Sequence, residues 1–320
     1  MQLNVGTVLV TGGAGFVGSH TVDALLEAGA RVRVLDNLST GKTANLPLNN
    51  PSLDFQIGDT RDQEAVCRAM RDVSHCLHLA AQVSVEKSFQ YPETSSDNNI
   101  GGFINVLQAA KDAGVQRVVY ASSAAAYGDV PQLPVAEDSL LLPGSPYGIE
   151  KTVNEVYARL YETTYSLPCL GLRYFNIYGP RQGKSSSYSG VISVFLEKAR
   201  SMQPITLFGD GKQTRDFIFV KDVARCNFLA LTSNVTGVCN VGCGNSISLH
   251  DLLDAIGRFT TLPEVKYLPA RKGDIRHSCA DVERMHRMLE LFATTTLEVG
   301  LSELWQEKCE HATTGDGHDD

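Results

Sequence analysis

Residues 8–20 read VLVTGGAGFVGSH. An apolar, β-branched run at Val8, Leu9 and Val10 enters three glycines spaced Gly12-x-x-Gly15-x-x-Gly18, and a helical apolar pattern follows as far as Gly29. A buried strand, a tight turn and a helix in that order form the context a pyrophosphate site requires. Gly12 permits the turn, Gly15 lets the backbone approach the phosphates, and Gly18 allows close helix packing. The helix N-terminus then offers free N–H groups and the positive end of its dipole.

Working outward, RVRVLD (31–36) is a second strand ending on Asp36, 21 residues after Gly15. A carboxylate there accepts hydrogen bonds from an adenosine ribose and repels a 2′-phosphate, which favours NAD over NADP. LDFQIGD, HCLHLAA, QRVVYASS and PCLGLRYFN continue the strands, separated by helical patterns such as NNIGGFINVLQAAKDAG. Strands alternating with helices predict an α/β fold: a doubly wound parallel (Rossmann) sheet with a smaller, mostly helical C-terminal substrate domain. The nucleotide-binding domain is expected over 1–176, rejoined by about 215–243 through one more βαβ-like excursion to the sheet. Residues 177–214 and 244–309 form the second domain, with helices in SLHDLLDAIGRF, DVERMHRMLELF and LEVGLSELWQEK, and 310–320 are expected to be a disordered tail.

Composition narrows the function classes. The chain has 320 residues, is 43% hydrophobic and 20% charged, and carries a net charge of −8 without a basic block, so neither a nucleic-acid nor a membrane partner is expected. No apolar run approaches the ~18 residues of a membrane helix, and the N-terminus shows no signal peptide. Eight scattered cysteines read as free thiols of a cytoplasmic protein; Cys239-x-x-x-Cys243 has no second pair or histidine cluster beside it, so no metal is expected.

SPYGIEK (145–151) places Tyr147 one helical turn before Lys151, on the same face. A free phenol titrates near ~10 and is a poor base at neutral pH. A cationic Lys151, with the positive charge of an oxidised nicotinamide, would stabilise the phenolate and bring that value down. Ser123, at the end of the fifth strand in YASSAAAYGD, supplies a hydroxyl to orient the substrate.

These motifs, in this order, resemble the extended short-chain dehydrogenase/reductase family over roughly residues 6–305, strongly to about 282. The resemblance implies a Ser123–Tyr147–Lys151 triad. It also implies cofactor contacts from Gly12, Gly15, Phe16, Val17, Gly18, Asp36, Asn37, Asp59, Thr60, Ala80 and Asn99, together with Tyr147 and Lys151. Dehydratases of the family carry an Asp-Glu pair after the serine, because removing water needs an extra acid and base; here the residues are Ala124 and Ala125. The downstream motifs resemble the UDP-hexose 4-epimerases, which implies substrate contacts from Ser84, Ser123, Asn176, Arg215 and Arg271, the arginines gripping a diphosphate. Where glucose-restricted epimerases carry a tyrosine, this chain has Ser278, which leaves room for an acetamido group and hence for UDP-N-acetylglucosamine as well as UDP-glucose. A decarboxylase or dehydratase of the same family and a non-catalytic NAD-binding sensor remain the alternatives. A homodimer through helices near 92–114 and 145–165 is expected from the resemblance.

Overall fold

Val8, Leu9 and Val10 are all fully buried, because the strand they form is covered on both faces. Val8 and Val10 pack with Val22, Leu25 and Val223 on one side, whereas Leu9 packs with Val66 and Phe103 on the other. That period-two partition of one apolar run defines two helical layers around a central sheet.

The computed structural model describes residues 6–183, 190–270 and 275–313. Its first half runs β1 (Thr7–Thr11), α1 (Phe16–Glu27), β2 (Arg31–Asp36), β3 (Leu53–Ile57), α2 (Gln63–Ala69), β4 (Val73–His78), α3 (Val85–Gln90), α4 (Pro92–Ser96), α5 (Gly102–Asp112), β5 (Arg117–Ser123), α6 (Pro146–Tyr165) and β6 (Cys169–Tyr174). The second half contains β7 (Asn176–Tyr178), α7 (Val191–Arg200), β8 (Ile205–Phe208), β9 (Thr214–Phe219), α8 (Val220–Thr232), β10 (Gly237–Val241), β11 (Ser246–Ser248), α9 (Leu249–Gly257), β12 (Val265–Leu268), α10 (Glu283–Leu289) and α11 (Leu297–Thr313). Seven strands form one parallel sheet in the order β10-β6-β5-β4-β1-β2-β3. Strand order reverses direction between β1 and β4, and that crevice at the carboxyl ends is where such sheets bind ligands.

The stretch 215–243 divides differently from the expectation. β10 does join the main sheet beside β6, with Gly237 opposite Leu170. β9 instead lies between β7 and β11 in a separate three-stranded sheet. The physical reason is its two-sided burial: Ile218 enters the main core, while Phe217 and Phe219 enter a second one with Leu196, Leu207, Leu252 and Leu301. α9 starts in that second core on a capping box between Ser248 and Asp251.

Three further boundaries depart from the sequence pattern. The helix expected from 98 begins at Pro92 and passes through a π-helical turn, Asp97–Gly101, before α5. α10 stops at Leu289 because Glu290 adopts φ 50°, which turns the fully buried Leu291 back into the core. α11 continues to Thr313, so residues 310–313 are helical and not part of a tail; 314–320 lie outside the described residues. Among the described residues no helix is long and apolar enough to cross a membrane.

Candidate active site

The glycine turn after β1 is held by contacts that tolerate no side chain. Gly12 has φ 70°, and a Cβ there would lie 2.7 Å from the Ala80 nitrogen. A Cβ on Gly18 would sit 2.1 Å from the Gly12 carbonyl oxygen. Gly15 differs: a Cβ would meet only the Gly12 oxygen, at 3.2 Å, so the space above it is open. No side chain caps the N-terminus of α1 and none of its first-turn residues is acidic, although Phe16 and Val17 stand there half-buried. An uncapped helix end facing an open glycine fits a diphosphate.

Asp36, at the end of β2, is buried and accepts N–H bonds from Ala14 (2.9 Å) and Leu38 (2.8 Å). Each carboxylate oxygen keeps a lone pair for a ribose hydroxyl. Two residues past β3, Asp59 accepts from the Asn37 amide (2.8 Å) and from Arg61, whose hydrogen bonds hold its carboxyl well below the usual range. Thr60 is buried against Gly102 on α5. The residues that fit NAD thus stand along the carboxyl ends of β1, β2, β3 and β4.

Asn99, expected at the cofactor, uses its amide within the protein. Its oxygen accepts the Gln82 N–H (2.8 Å), while Nδ2 donates to the Gln82 carbonyl (2.9 Å) and to Glu150 Oε2 (2.6 Å). The π-helical turn supplies this orientation, a distortion frequently found at functional sites. Ser84 caps α3 by accepting the Lys87 N–H at 3.1 Å.

The reacting end assembles on α6. Ser145 caps it and Pro146 opens it, so Tyr147 lies in the first turn with its N–H donating to Ser88 Oγ (3.2 Å). Ser123, at the end of β5, accepts the Ala125 N–H (3.1 Å) and stands near the Tyr147 hydroxyl, where it favours the ionised phenol. Lys151 is buried, donates to the Ala121 carbonyl (3.0 Å), and places its ammonium 5.6 Å from the centre of the Tyr147 ring. Ser123, Tyr147 and Lys151 therefore do meet.

Burial dominates the ionisation of both Tyr147 and Lys151. Burial pushes the Tyr147 phenol up to about 12, opposed by the nearby Ser123 hydroxyl and helped by the charge of Glu150. Burial lowers the Lys151 ammonium to about 8, opposed by Glu150. In the protein alone the phenol is therefore protonated at neutral pH, and the expected lowering has to await the additional positive charge of the cofactor. Glu150 carries no motif that would single it out, yet its place three residues after Tyr147 puts it on the same buried stripe as Lys151 and Asn154.

The remaining predicted residues lie in the second half. Asn176 begins β7 and is half-buried, and Arg215 on β9 donates to the Thr214 carbonyl at 2.9 Å. Ser278 is brought beside β9 by hydrogen bonds on both sides of Arg215, from Thr214 N–H to Arg276 O (3.0 Å) and from Ala280 N–H to Asp216 Oδ2 (3.0 Å). Arg271 lies outside the described residues. Among the described residues no cluster of His, Cys, Asp or Glu could hold a metal ion.

Known proteins share this arrangement. The UDP-glucose 4-epimerase of Mycolicibacterium smegmatis is 36% identical over 301 residues, covering 92% of this chain and 96% of that protein. The structure of UDP-N-acetylglucosamine 4-epimerase from Methanobrevibacter ruminantium M1, in complex with UDP-N-acetylmuramic acid, matches with a TM-score of 0.93 at 36% identity, over 97% of this chain and 100% of the other. The UDP-glucose 4-epimerase of Thermus thermophilus, in complex with NAD, matches with a TM-score of 0.87 at 37% identity, over 94% and 98% of the two chains. Residues 8–242 match the model of the NAD dependent epimerase/dehydratase family. With the strand-end site already in place, this match makes NAD the cofactor, and the chain belongs to that family as an extended short-chain dehydrogenase/reductase of the UDP-sugar 4-epimerase type.

Proposed function

We propose that the protein interconverts UDP-N-acetylglucosamine and UDP-N-acetylgalactosamine by inverting carbon-4, and that it also accepts the UDP-glucose pair. The observation carrying this reading is the buried Lys151 ammonium 5.6 Å from the Tyr147 ring, with Ser123 near the phenol and alanines at 124 and 125. Such a site can move one proton at one hydroxyl, while the acid and base that elimination needs are missing beside the serine. NAD supplies the hydride chemistry at carbon-4 when bound. Tyr147 accepts the proton of the 4-hydroxyl and later returns it to the same oxygen, so its phenol must not be too acidic. Ser123 orients that oxygen, and Lys151 supports the phenolate with its charge. Asn176, Arg215 and Arg271 hold the diphosphate while the sugar presents its second face. The small Ser278 leaves space for the 2-acetamido group.

A homodimer accompanies this reading. α6 exposes Ile149, Val156 and Leu160 along one side, an apolar face on the helix where the resemblance places the contact.

The test is to incubate the purified protein with UDP-N-acetylglucosamine, adding no cofactor, and to separate the products on a column that also reports particle size. UDP-N-acetylgalactosamine without free NADH, from a particle of twice the chain mass, is the expected result. Conversion of UDP-glucose alone would retain the mechanism and overturn the role of Ser278. Stoichiometric NADH, or loss of carbon dioxide from a UDP-uronic acid, would replace the epimerase reading with another of the family's reactions.

A further inference from the structure

Glu150 is 2% exposed, and it directly precedes Lys151, which is equally buried. Its carboxylate accepts from three neutral donors: Asn99 Nδ2 (2.6 Å), Ser95 Oγ (2.9 Å) and Ser96 Oγ (3.4 Å). Ser95 Oγ also accepts from Gln82 Nε2 (3.1 Å), and Gln82 is bonded through its backbone to Asn99. The hydrogen bonds close a ring, Glu150–Asn99–Gln82–Ser95–Glu150, that ties α6 to the turn after β4. The far side of Gln82 holds Ser84, whose N–H donates to Gln82 Oε1 and whose carbonyl accepts from Gln82 Nε2 (3.0 Å).

Neutral side chains could close such a ring, so the presence of a charge calls for its own reason. A carboxylate withdrawn from water is costly unless it is hydrogen-bonded and useful to a nearby cation. The cation whose burial it offsets is Lys151, and it acts on the Tyr147 phenol as well. The other ionisable groups on elements packed against this stretch are differently disposed. Glu86 and Lys87 on α3, Glu93 on α4 and Asp97 on the π-helical turn are exposed, and screened accordingly. Arg173 on β6 is committed to a bidentate pair with Glu155. His78 on β4 is buried and held neutral, its value lowered to about 3 by desolvation.

We infer that Glu150 is a positioning residue of this active site: its buried carboxylate locks the reacting face of α6 to the Gln82–Ser84 turn and sets a negative charge one residue from the Lys151 ammonium. The inference rests on Tyr147 and Lys151 being the acid/base pair. The same negative charge restrains the phenolate, so the proton that Tyr147 takes up is readily returned. Such restraint suits a reaction in which one phenol must act first as base and then as acid.

Two readouts test this. The first is a 13C-lysine NMR titration of the purified protein, with the Lys151 signal identified by its loss in Lys151→Met. The second is the pH profile of kcat for UDP-sugar epimerisation. In Glu150→Gln the Lys151 midpoint and both limbs of the profile should move toward acid by about one pH unit. Glu150→Asp, which keeps the charge but shortens the reach to Asn99, should lower turnover while holding the midpoint near that of the wild type. A midpoint and profile unmoved in Glu150→Gln, with only turnover or stability reduced, would make Glu150 a packing element and overturn the inference. An Asp variant shifted as far as the Gln variant would overturn it too. Tyr147→Phe separates the two levels: if it is inactive while the Glu150 midpoints are unmoved, only this inference fails, whereas a fully active Tyr147→Phe removes the reading beneath it.

Discussion

The two halves of the site are built in opposite ways. Along the carboxyl ends of the main sheet, Gly12, Asp36, Asp59, Ala80 and Ser123 each stand at, or no more than two residues past, the end of a parallel strand. Sheet topology alone puts them in a row, one βα turn at a time. Asn176, Arg215 and Ser278, proposed to hold the substrate, belong to segments far apart in sequence, joined by the β7–β9 pairing and by buried polar side chains. Asp216 accepts N–H bonds from Cys243 (2.7 Å), Gly244 (3.0 Å) and Ala280 (3.0 Å). Asn240 donates to Val135 O (2.8 Å) and Asp281 O (3.1 Å), while its own oxygen accepts from the Tyr127 hydroxyl (2.6 Å). A repeated local unit positions the first half; a few buried polar residues with long reach position the second.

Where the halves meet, Tyr147 gives the largest expected effect. Its phenol should be required in both directions of proton transfer, while its ring provides the packing. Tyr147→Phe should lower kcat by about 10²–10⁴ and leave the thermal midpoint within about 2 °C of the wild type. Retained turnover would show that the proton passes through another group, and the chemistry would no longer lie on the seam.

Within the cofactor half, two glycines of one motif should behave differently. Gly18→Ala drives a Cβ to within 2.1 Å of the Gly12 oxygen, a backbone atom that cannot swing away. About 3 kcal/mol or more of stability should be lost, together with bound NAD. Gly15→Ala meets the same oxygen only at 3.2 Å and keeps an ordinary extended backbone at φ −77°. It should fold with a near-normal midpoint yet retain roughly tenfold less NAD, as judged by absorbance after gel filtration. Equal NAD retention in Gly15→Ala and the wild type would move the diphosphate away from that glycine.

This asymmetry explains how much was legible in the sequence. The strand, the glycine spacing and Asp36 are local features, and their roles follow from period and position. The Ser123–Tyr147 contact crosses only from β5 to the next helix, so family resemblance reached it. The sequence of β9 shows that it is buried on both faces, but not that the two faces enter different cores, so it reads as a strand of the main sheet. The upward shift of the Tyr147 phenol comes from desolvation and from Glu150, neither of which a Tyr-x-x-x-Lys spacing encodes. Asn99 is singled out by the resemblance, but its bonds to Gln82 and Glu150 join segments that the local sequence does not bring together.

A last effect concerns the residues proposed to hold the sugar and tests whether their long-range assembly sets specificity. The backbone around Ser278 is pinned, with Arg276 O on the Thr214 N–H and the Ala280 N–H on Asp216. A larger side chain at 278 should therefore change the volume of the pocket without moving its wall. Ser278→Tyr should cut kcat/KM for UDP-N-acetylglucosamine by roughly 10- to 100-fold, about what one misfitted group costs in a closed pocket, and leave that for UDP-glucose within about a factor of three. The ratio of the two is the informative quantity, because it cancels any general loss of stability or cofactor. If both substrates decline together, residue 278 supports the wall from behind and the acetamido group is accommodated elsewhere. If neither changes, the side chain points away from the sugar, and Asp216 pins this segment for a purpose other than specificity.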